Sequence, residues 1–435
     1  YSTGAAKNCQ YAQQQCDFKV IITARPLLER VGCDELPDMV FLEDIMDELS
    51  NFEKAIAFVK SKLTPTLLTQ LCGKKDLDSE AVILFTSGSE KDPKAVQLTH
   101  KNILNNGRNV AVCQDLTDQD RLCIPVPLYH CFGMVMGVLG CVSHGATMVL
   151  PSEAFEPTTV LQAVASEKCT SLYGVPTMFI AELGLPTIAE FDLSTLRTGV
   201  MAGSPCPTET MKQVLDIMHM RDVTTAYGMT ETSPVSMQTI ATDSFEKRVS
   251  TVGRTQPHLE TKIISPNDQV VCRGEIGELC TRGYSVMLGY WNNEEATNSA
   301  IDQTGWMRTG DLATMDSDGY VTIVGRNKDM VIRGGENIYP REIEEFLYTH
   351  PAISDVQVTG VPDQKFGEEL IAWIILKEGE SLEVEEIRAF CKGQISHFKI
   401  PRYFRFTDAF PMTVTGKIQK FRMREISIDE LGLDD

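Results

Sequence analysis

The chain has no apolar run long enough to form a transmembrane helix, and it is poor in basic residues relative to acidic ones. Of its 435 residues, 40 are Lys or Arg and 60 are Asp or Glu, which gives a formal net charge of −20. Such a surface repels nucleic acid and anionic membranes, so we expect neither as a main partner. A membrane span needs about 18 or more consecutive apolar residues, and the sequence predicts none.

Cysteine and histidine are present, but they are not arranged as disulfide frameworks or metal sites. The thirteen cysteines stand singly, with no Cys-x-x-Cys pair and an odd total. This usage is typical of a reducing compartment. None of the seven histidines lies at zinc-ligand spacing from a cysteine or another histidine. We therefore expect a cytoplasmic protein without a structural metal.

Predicted strands and helices alternate along most of the chain. Residues 145–151 read as a strand, 158–169 as a helix and 170–176 as a strand again, and a single helix is predicted over 43–59. Thr99 is predicted to cap a helix that begins near His100. This alternation favours an α/β fold with largely parallel sheets. Between 250 and 326 the pattern changes to short strands separated by glycine-rich turns, which favours an antiparallel or barrel-like unit.

A boundary is predicted at the segment GRNKDMVIRGGENIYP, which begins at Gly325. Beyond it lies a compact module that reads as helix, strand, strand, helix and strand. We therefore predict a large N-terminal part over 1–326, made of layered α/β sheets with the barrel-like unit at 250–326. A hinge joins it to a small, mobile α/β C-terminal domain over 327–435.

An apolar run at Ala81–Phe85 reads as a buried strand that stops at the sequence TSGSEKDPK. Backbone N–H groups after a strand can bind phosphate oxygens, and Gly88 would allow a close approach. Side chains that could assist are Thr86, Ser87, Ser89 and Lys94. The loop is not a Walker A motif, because Pro93 stands where a glycine must precede the lysine. Taken alone, an ordinary serine–glycine turn is an equally good interpretation.

Three later stretches also carry candidate chemistry. In TTAYGMTETSP, Tyr227 offers an aromatic face, while Thr230 and Glu231 offer a hydroxyl and a carboxylate, a set that suits a nucleotide with Mg²⁺. Asp311 in GWMRTGD could accept two ribose hydroxyls, and Arg326 could supply a matching donor. Lys417 in PMTVTGK is a candidate catalytic cation. The alternatives are an exposed turn, a surface aspartate in a hairpin and a solvated lysine.

In this order and spacing, the four stretches resemble the acyl-adenylate-forming (AMP-binding) superfamily, which includes acyl-CoA synthetases, adenylation domains of peptide synthetases and luciferases. YGMTE, GWMRTGD, GRNKDMVIRGGENIYPREIE and PMTVTGK resemble its motifs over essentially the whole chain. RTGVMAGSPCP, RGYSVMLGYW and the C-terminal module are most similar to medium- or long-chain fatty acyl-CoA synthetases. The first third is similar to acyl-carrier-protein synthetases.

The resemblance implies roles for individual residues. The β- and γ-phosphates of ATP are expected at Thr86, Ser87, Gly88, Ser89 and Lys94. Adenine is expected at Tyr227 and Gly228, and ribose at Asp311 and Arg326. The α-phosphate is expected at Thr230, and Mg²⁺ at Glu231. Lys417 would bridge the substrate carboxylate and the α-phosphate.

The second group of implied roles concerns the acyl and thiol substrates. His130 is expected beside the channel for the acyl group and pantetheine, which Ala202, Gly203 and Ser204 would line. Lys328 is the expected hinge. Rotation about it would carry Gly334 and Gly335 to the thiol tunnel, where they allow a close approach of the backbone.

The activity implied is ATP-dependent conversion of a medium- or long-chain fatty acid to acyl-AMP, followed by transfer to the thiol of CoA with release of AMP and pyrophosphate. Two alternatives remain open: an acyl carrier protein as acceptor, and a catalytically impaired nucleotide- or acyl-binding relative. Lys91 and Ala95 replace family glycines, so we expect weakened pyrophosphate handling. The family also has residues ahead of Tyr1, whose absence would leave sheet edges exposed. No feature demands the oxygen chemistry of a luciferase.

Overall fold

The protein is built from β-sheets flanked by helices. The computed structural model describes residues 5–63, 76–86, 93–204, 206–412 and 418–433, and the strands within them form five sheets. The α-helices in this part of the chain are α1 Ala5–Cys16, α2 Arg25–Val31, α3 Leu42–Glu48, α4 Asn51–Leu63, α5 His100–Cys113, α6 Gly140–His144, α7 Pro157–Glu167, α8 Pro176–Leu183, α9 Thr208–Ile217, α10 Phe245–Ser250, α11 Glu294–Ala300, α12 Pro340–Leu347, α13 Val384–Cys391 and α14 Lys420–Leu431. No helix among these residues is long and apolar enough to cross a bilayer.

Short helices of other types punctuate the fold. A π-helix covers Phe132–Leu139, and 3-10 turns cover Ile188–Glu190, Thr230–Thr232, Asn327–Asp329 and His397–Lys399. The turn at Thr230–Thr232 follows a strand of the largest sheet, and the turn at Asn327–Asp329 links two sheets. Both therefore lie where the chain changes direction between larger elements.

The largest sheet has seven strands and confirms the predicted α/β class. Its strands, in spatial order, are β11 Arg254–Thr255, β10 Val235–Gln238, β9 Asp222–Gly228, β8 Thr198–Ala202, β7 Ser171–Gly174, β5 Arg121–Cys123 and β6 Thr147–Val149. Pairing is parallel from β6 to β9 and antiparallel from β9 to β11. Every residue of β7 and β8 is buried, as expected for parallel strands covered on both faces.

Two apolar clusters cover the two faces of this sheet. One contains Val160, Leu161 and Val164 of α7 together with residues of α9. The other contains Val110 of α5 and Met136 of the π-helix. Because the parallel strands are sandwiched, the chain can emerge toward a ligand chiefly at their carboxyl ends, the usual binding edge of such sheets.

The N-terminal region contains two short helices where one was predicted over 43–59. Helix α3 ends at Glu48, Leu49 is extended, and α4 begins at Asn51. The Ser50 hydroxyl accepts from the Glu53 N–H at 3.2 Å, while Glu53 accepts from the Ser50 N–H at 2.9 Å. This reciprocal capping starts a new helix and explains the break. A two-stranded parallel sheet lies nearby, made of β1 Ile21–Thr23 and β2 Met39–Phe41.

A three-stranded antiparallel sheet has the order β14 Gly289–Tyr290, β4 Ala95–Thr99 and β3 Glu80–Phe85, and β4 leads directly into α5. The predicted strand at 81–85 is confirmed as β3, but the prediction that it is buried was wrong. As the edge strand of this sheet, β3 is only half-buried, and Phe85 is 37% exposed. Thr99 does cap α5, because its hydroxyl accepts from the Asn102 N–H at 3.1 Å.

A four-stranded antiparallel sheet follows, in the order β12 Leu259–Ile264, β13 Gly277–Gly283, β15 Met307–Met315 and β16 Val321–Arg326. Its strands β15 and β16 pair through Asp311 and Arg326, which places these two residues side by side. Its last strand, β16, leads directly into the turn at Asn327–Asp329, so along the chain this sheet connects the seven-stranded sheet to the C-terminal region.

The C-terminal region contains a five-stranded sheet with the order β18 Glu336–Ile338, β17 Val331–Arg333, β20 Gly367–Leu376 and β19 Ile353–Asp363, and with β21 Tyr403–Phe406 paired to β20. One apolar cluster contains residues of this sheet together with Ile343 of α12 and Ile387 of α13. Another joins Trp373 to Met423 of α14. These clusters give the region a core of its own.

Asp355 of β19 is a carboxylate inside this region. Its side chain accepts hydrogen bonds from the Tyr348 hydroxyl and, at 2.7 Å, from the Val356 N–H, and the residue is 8% exposed. Burial raises the pKa of Asp355 to about 6, and the nearby charge of Glu344 acts in the same direction. Burial is the main cause because removing a carboxylate from water disfavours its ionised form.

This raised pKa predicts a pH-dependent stability. The folded pKa of Asp355 lies above the ordinary value of about 3.9, so its contribution is fully present below pH about 4 and is lost as pH rises through about 6. At neutral pH, this shift lowers the free energy of unfolding by about 3 kcal/mol relative to its value below pH about 4. We expect Asp355→Asn to remove this part of the pH dependence in urea unfolding between pH about 4 and about 7.

Glu378→Gln is the matched control, since Glu378 is an exposed acid in the same region. Its unfolding curve should keep the pH dependence of the unmodified protein. If Asp355→Asn also kept it, the buried carboxylate would not be the source.

Candidate active site

The carboxyl ends of the parallel strands open into a cleft of about 2320 Å³. Residues of β3, β9, β15 and β16 line one part of it, and residues from α12, α14 and β19 line another. A concave site with polar groups from several elements is the usual form of a small-molecule site. The chain on both sides of Asn327–Asp329 therefore contributes to the same cleft.

Asp311 forms the centre of a hydrogen-bonded trio. The Tyr227 hydroxyl donates to its Oδ2 at 2.5 Å, and Arg326 Nε donates to its Oδ1 at 2.9 Å. Asp311 is 4% exposed. Burial raises the pKa of Tyr227 well above its ordinary value, and the Asp311 charge adds to this; the same charge raises the pKa of Arg326. The trio therefore presents one carboxyl group that accepts from two donors.

The turn after β9 carries the next two predicted residues. A Cβ on Gly228 would lie 1.8 Å from the Pro234 carbonyl oxygen, so no other residue fits without a shift. The Thr232 hydroxyl donates to that oxygen at 2.7 Å and accepts from the Met229 N–H at 3.0 Å. These contacts hold the turn Thr230–Thr232 in place and direct Thr230 and Glu231 to the cleft lining.

Tyr290 is a site residue that sequence reasoning missed. Its hydroxyl donates to Glu231 Oε1 at 2.9 Å, and Lys94 Nζ lies 5.3 Å from the centre of its ring, within range of a cation–π contact. Tyr290 lies in RGYSVMLGYW, a stretch used for the resemblance but not assigned a role. Tyr290 is brought to this part of the cleft by the pairing of β14 with β4. Because Tyr290 is far from Lys94 and Glu231 in the sequence, no local pattern could have linked them.

The side-chain oxygen atoms of Glu231 and Thr230 are of the kind that bind Mg²⁺. Magnesium is commonly held by one or two carboxylates together with phosphate oxygens and water, and Glu231 supplies one carboxylate beside the Thr230 hydroxyl. In the part of the chain that the structure describes, no group of three His, Cys, Asp or Glu side chains could hold a metal alone. Glu231 would therefore hold the ion together with the phosphates of a nucleotide.

The predicted phosphate loop is described only at its ends. Thr86 lines the cleft, and its N–H donates to the Lys94 carbonyl at 2.9 Å, which closes the base of the loop. Ser87, Gly88, Ser89 and Lys91 lie outside the described residues. The structure places Ala95 in strand β4, where it pairs with Phe85 and is 7% exposed. Its methyl group therefore packs inside the protein, and the expected weakening of pyrophosphate handling remains a prediction.

The acyl-side residues are only partly brought together. His130, Gly203 and Ser204 line the cleft, whereas Ala202 is buried at the end of β8 and does not. His130 Nδ1 accepts from the Phe132 N–H at 3.1 Å. Further apolar residues line this part of the cleft: Met134, Pro176 and Ile180. This side of the cleft is therefore less polar than the side with Asp311.

Two segments that follow Asn327, the loop with Lys417 and the turn with Gly334 and Gly335, differ in their position relative to the cleft. Lys417 lies outside the described residues, but Met412 and Ile418 on either side form a β-bridge and line the cleft. Gly334 and Gly335, with φ of +60° and +90°, do not line it, and the Gly334 N–H donates to the Phe366 carbonyl at 2.8 Å. Lys328 lines the cleft in its 3-10 turn. In this arrangement the base of the lysine loop faces the cleft and the two-glycine turn does not.

Comparison with known families identifies the class to which this fold and site belong. Residues 1–291 match the model of the AMP-binding enzymes, and residues 342–417 match that of the AMP-binding enzyme C-terminal domain. The chain therefore belongs to the AMP-binding enzyme family, as predicted, and it is an enzyme by that membership.

Individual relatives are similar over most of this chain. YngI of Bacillus subtilis (strain 168), provisionally named an acyl-CoA synthetase, is 59% identical over 372 residues, which cover 85% of this chain and 68% of that protein. The mitochondrial medium-chain acyl-CoA ligase ACSF2 of Danio rerio is 47% identical over 408 residues, covering 93% of this chain and 67% of that one. The human ACSF2 is 47% identical, and the match covers 79% of this chain and 57% of the human protein.

Solved structures share the fold. The anthranilate CoA ligase AuaEII in complex with anthranoyl-AMP has a TM-score of 0.85 at 27% identity, covering 98% of this chain and 82% of that one. ATP-bound MatB from Rhodopseudomonas palustris has a TM-score of 0.82 at 27% identity, with the same coverage. The predicted α/β fold, with a large N-terminal part and a smaller C-terminal domain, is confirmed.

Gly228 gives a direct test of how the turn after β9 is built. We expect Gly228→Ala to destabilise the protein by about 1–3 kcal/mol, since the added methyl group meets backbone that cannot move aside. We also expect weaker ATP binding, because Thr230 and Glu231 would be displaced. Urea unfolding and titration calorimetry measure the two effects.

Gly140→Ala is the matched control, because Gly140 begins α6 and an added Cβ would lie 3.4 Å from the Gly107 carbonyl oxygen, an ordinary van der Waals contact. It should leave ATP binding unchanged. Unchanged ATP binding in Gly228→Ala would show that the geometry of this turn does not position the nucleotide.

Proposed function

We propose that the protein is an ATP-dependent acid–thiol ligase that converts a medium- or long-chain fatty acid to acyl-AMP and then to its CoA thioester. The observation that carries this proposal is the arrangement of one cleft in an AMP-binding enzyme. The Asp311 trio lies in that cleft together with the Thr230–Glu231 turn, and Lys94 contacts the Tyr290 ring beside Glu231. The names of the relatives favour acyl-CoA synthesis.

The Asp311 end suits the nucleoside. A carboxylate offers about four lone-pair sites, so Asp311 can accept from ribose hydroxyls while it keeps its bonds to Tyr227 and Arg326. Tyr227 lies next to Gly228 at the end of β9, and both residues line the cleft. The ring of Tyr227 offers a face for adenine. Three of the proposed nucleotide contacts therefore come from two neighbouring sheets.

The Glu231 end suits the phosphates. Acyl-AMP forms when an oxygen of the fatty acid carboxylate bonds to the α-phosphorus and the bond from that phosphorus to the bridging oxygen breaks, releasing pyrophosphate. This step brings two anions together, so the site must supply positive charge and alignment. Lys94 and Lys417 supply cationic side chains, and Mg²⁺ held at Glu231 would supply further positive charge. Thr230 would donate to the α-phosphate.

The acyl group and the thiol are assigned to the other side of the cleft. Met134 and Ile180 line it near His130, and apolar side chains favour an alkyl chain over a polar acid. In the second half-reaction the thiol sulfur bonds to the acyl carbon, and the bond from that carbon to the phosphate oxygen breaks, releasing AMP. We assign CoA as the thiol, because the relatives are named acyl-CoA synthetases or ligases.

The domain division remains part of this proposal. We assign 1–326 and 327–435 as the two domains and Lys328 as the hinge, in the turn between β16 and β17. Gly334 and Gly335 lie away from the cleft, so the second half-reaction would need the C-terminal domain to turn about this point. A cytoplasmic location is also proposed, and cell fractionation tests it against the mitochondrial location named for ACSF2.

Pyrophosphate exchange into ATP tests the proposed function. With Mg²⁺ and a series of acids from hexanoate to octadecanoate, we expect exchange that depends on the acid and has a chain-length optimum. No exchange in folded protein that still binds ATP would favour a non-catalytic relative and overturn the ligase assignment.

Lys417→Ala separates the two half-reactions. We expect acyl-AMP formation to fall by about 10²–10³-fold, the usual effect of removing one stabilising group from a developing negative charge. Transfer from supplied acyl-AMP to CoA should be largely retained, because the lysine is not needed after pyrophosphate has left. Lys377→Ala, at an exposed lysine of the same domain, should leave both rates unchanged. An equal loss of both half-reactions in Lys417→Ala would contradict the assigned role.

A further inference from the structure

Arg341 connects the two parts of the chain that meet at the cleft. It is the second residue of α12, and its Nη1 donates to the carbonyl oxygen of Ile323 in β16 at 2.9 Å. Its Nε donates to Glu345 Oε1 at 2.9 Å within the same helix, and its side chain is 17% exposed. The guanidinium group therefore donates one hydrogen bond within its own helix and another to the antiparallel sheet.

This bond is singular among the residues whose positions are described. Within that set, no other side-chain hydrogen bond or ion pair joins the chain before Asn327 to the chain after Met330. A donor with full positive charge makes a stronger bond to a carbonyl than a neutral donor does. Arg341 is thus the main polar contact that fixes α12 against β16.

The surroundings of Arg341 place it close to the chemistry. Ile323 is on the same strand as Arg326, which binds Asp311. Burial raises the pKa of the Cys206 thiol to about 12, and the nearby charge of Arg341 opposes this rise. Both Arg341 and Cys206 line the cleft. The residue therefore lies where α12, β16 and the segment after β8 come together.

The contact is specific to one orientation of the C-terminal region. Here Met412 and Ile418 line the cleft, whereas Gly334 and Gly335 do not. If the region turned about Asn327–Asp329, Arg341 would move and Ile323 would not, because they lie on opposite sides of that turn. The bond must therefore break in any orientation that brings the two-glycine turn to the cleft.

We propose that Arg341 is a positioning residue that holds the C-terminal region in the orientation used for acyl-AMP formation. Release of its bond to the Ile323 carbonyl precedes thioester formation. This inference rests on the proposed function. It predicts that loss of the bond affects the two half-reactions differently, which a purely stabilising residue would not do.

The test compares Arg341→Met with two controls. Methionine keeps an unbranched stem and removes the donors. Glu345→Gln weakens the bond within α12 but leaves Arg341 able to reach Ile323. Arg121→Met removes another arginine bond to a backbone carbonyl, that of Glu167 at 2.6 Å, and neither of these residues lines the cleft. The rates measured are acid-dependent pyrophosphate exchange and thioester formation from supplied acyl-AMP and CoA.

We expect exchange to fall about tenfold or more in Arg341→Met, the change produced by losing a hydrogen bond to a charged group. Thioester formation should be unchanged or faster, and Arg341→Lys should recover part of the exchange. Both controls should stay within about twofold of the unmodified protein. An equal fall in both half-reactions, or no fall in either, would overturn the proposal.

Trypsin cleavage after Lys328 supplies a readout that does not depend on activity. Lys328 is exposed in its turn, and we expect Arg341→Met to be cut there faster than either control, because the two regions separate more often. Equal cleavage rates would mean that the bond does not hold them together. If the unmodified protein showed no exchange with any acid, the proposed function would fail, and the cleavage test would still decide whether Arg341 holds this orientation.

Discussion

The buried carboxylate of Asp311 is the constraint around which the site is organised. A carboxylate that is almost fully removed from water is tolerated only when charged or polar donors satisfy it. Asp311 obtains one donor from Tyr227 in the seven-stranded sheet and another from Arg326, its partner across the antiparallel sheet. Satisfying this one group therefore requires two sheets to meet in a single relative position.

Other features of the cleft follow from that meeting. The strand that carries Tyr227 runs on through Gly228 into the turn with Thr230 and Glu231, so the phosphate end is set relative to the nucleoside end by a few residues of backbone. The strand that carries Arg326 runs on into Asn327–Asp329, so the C-terminal region starts from the same point. A shift in either strand would move a binding residue and a structural junction together.

The sequence predicted the parts of the molecule that depend on local patterns. Alternating strands and helices, the Thr99 cap and the positions of Tyr227, Glu231 and Arg326 at or just after strand ends could all be read from neighbouring residues, whereas Asp311 lies within β15. The break between α3 and α4 was missed, although the Ser50–Glu53 spacing is a capping box that could have revealed it. The half-buried state of β3 could not be read from its composition, because edge position is set by strands that come much later in the chain.

Contacts between distant segments explain the remaining misses. Tyr290 reaches Glu231 through sheet pairing that no short motif specifies. Arg341 donates to the backbone carbonyl of Ile323, so the side chain at position 323 plays no part in the bond. Such an acceptor leaves no trace in the sequence. The bond from Arg341 to Ile323 also closes a loop of only 18 residues, the difference between their positions.

The segment between Ile323 and Arg341 is ordered for most of its length, because it contains the end of β16, the turn at Asn327–Asp329 and strands β17 and β18. The two ends stay at a high effective concentration at any dilution of the protein. Re-forming the contact is therefore independent of the protein concentration, unlike a contact between two separate chains.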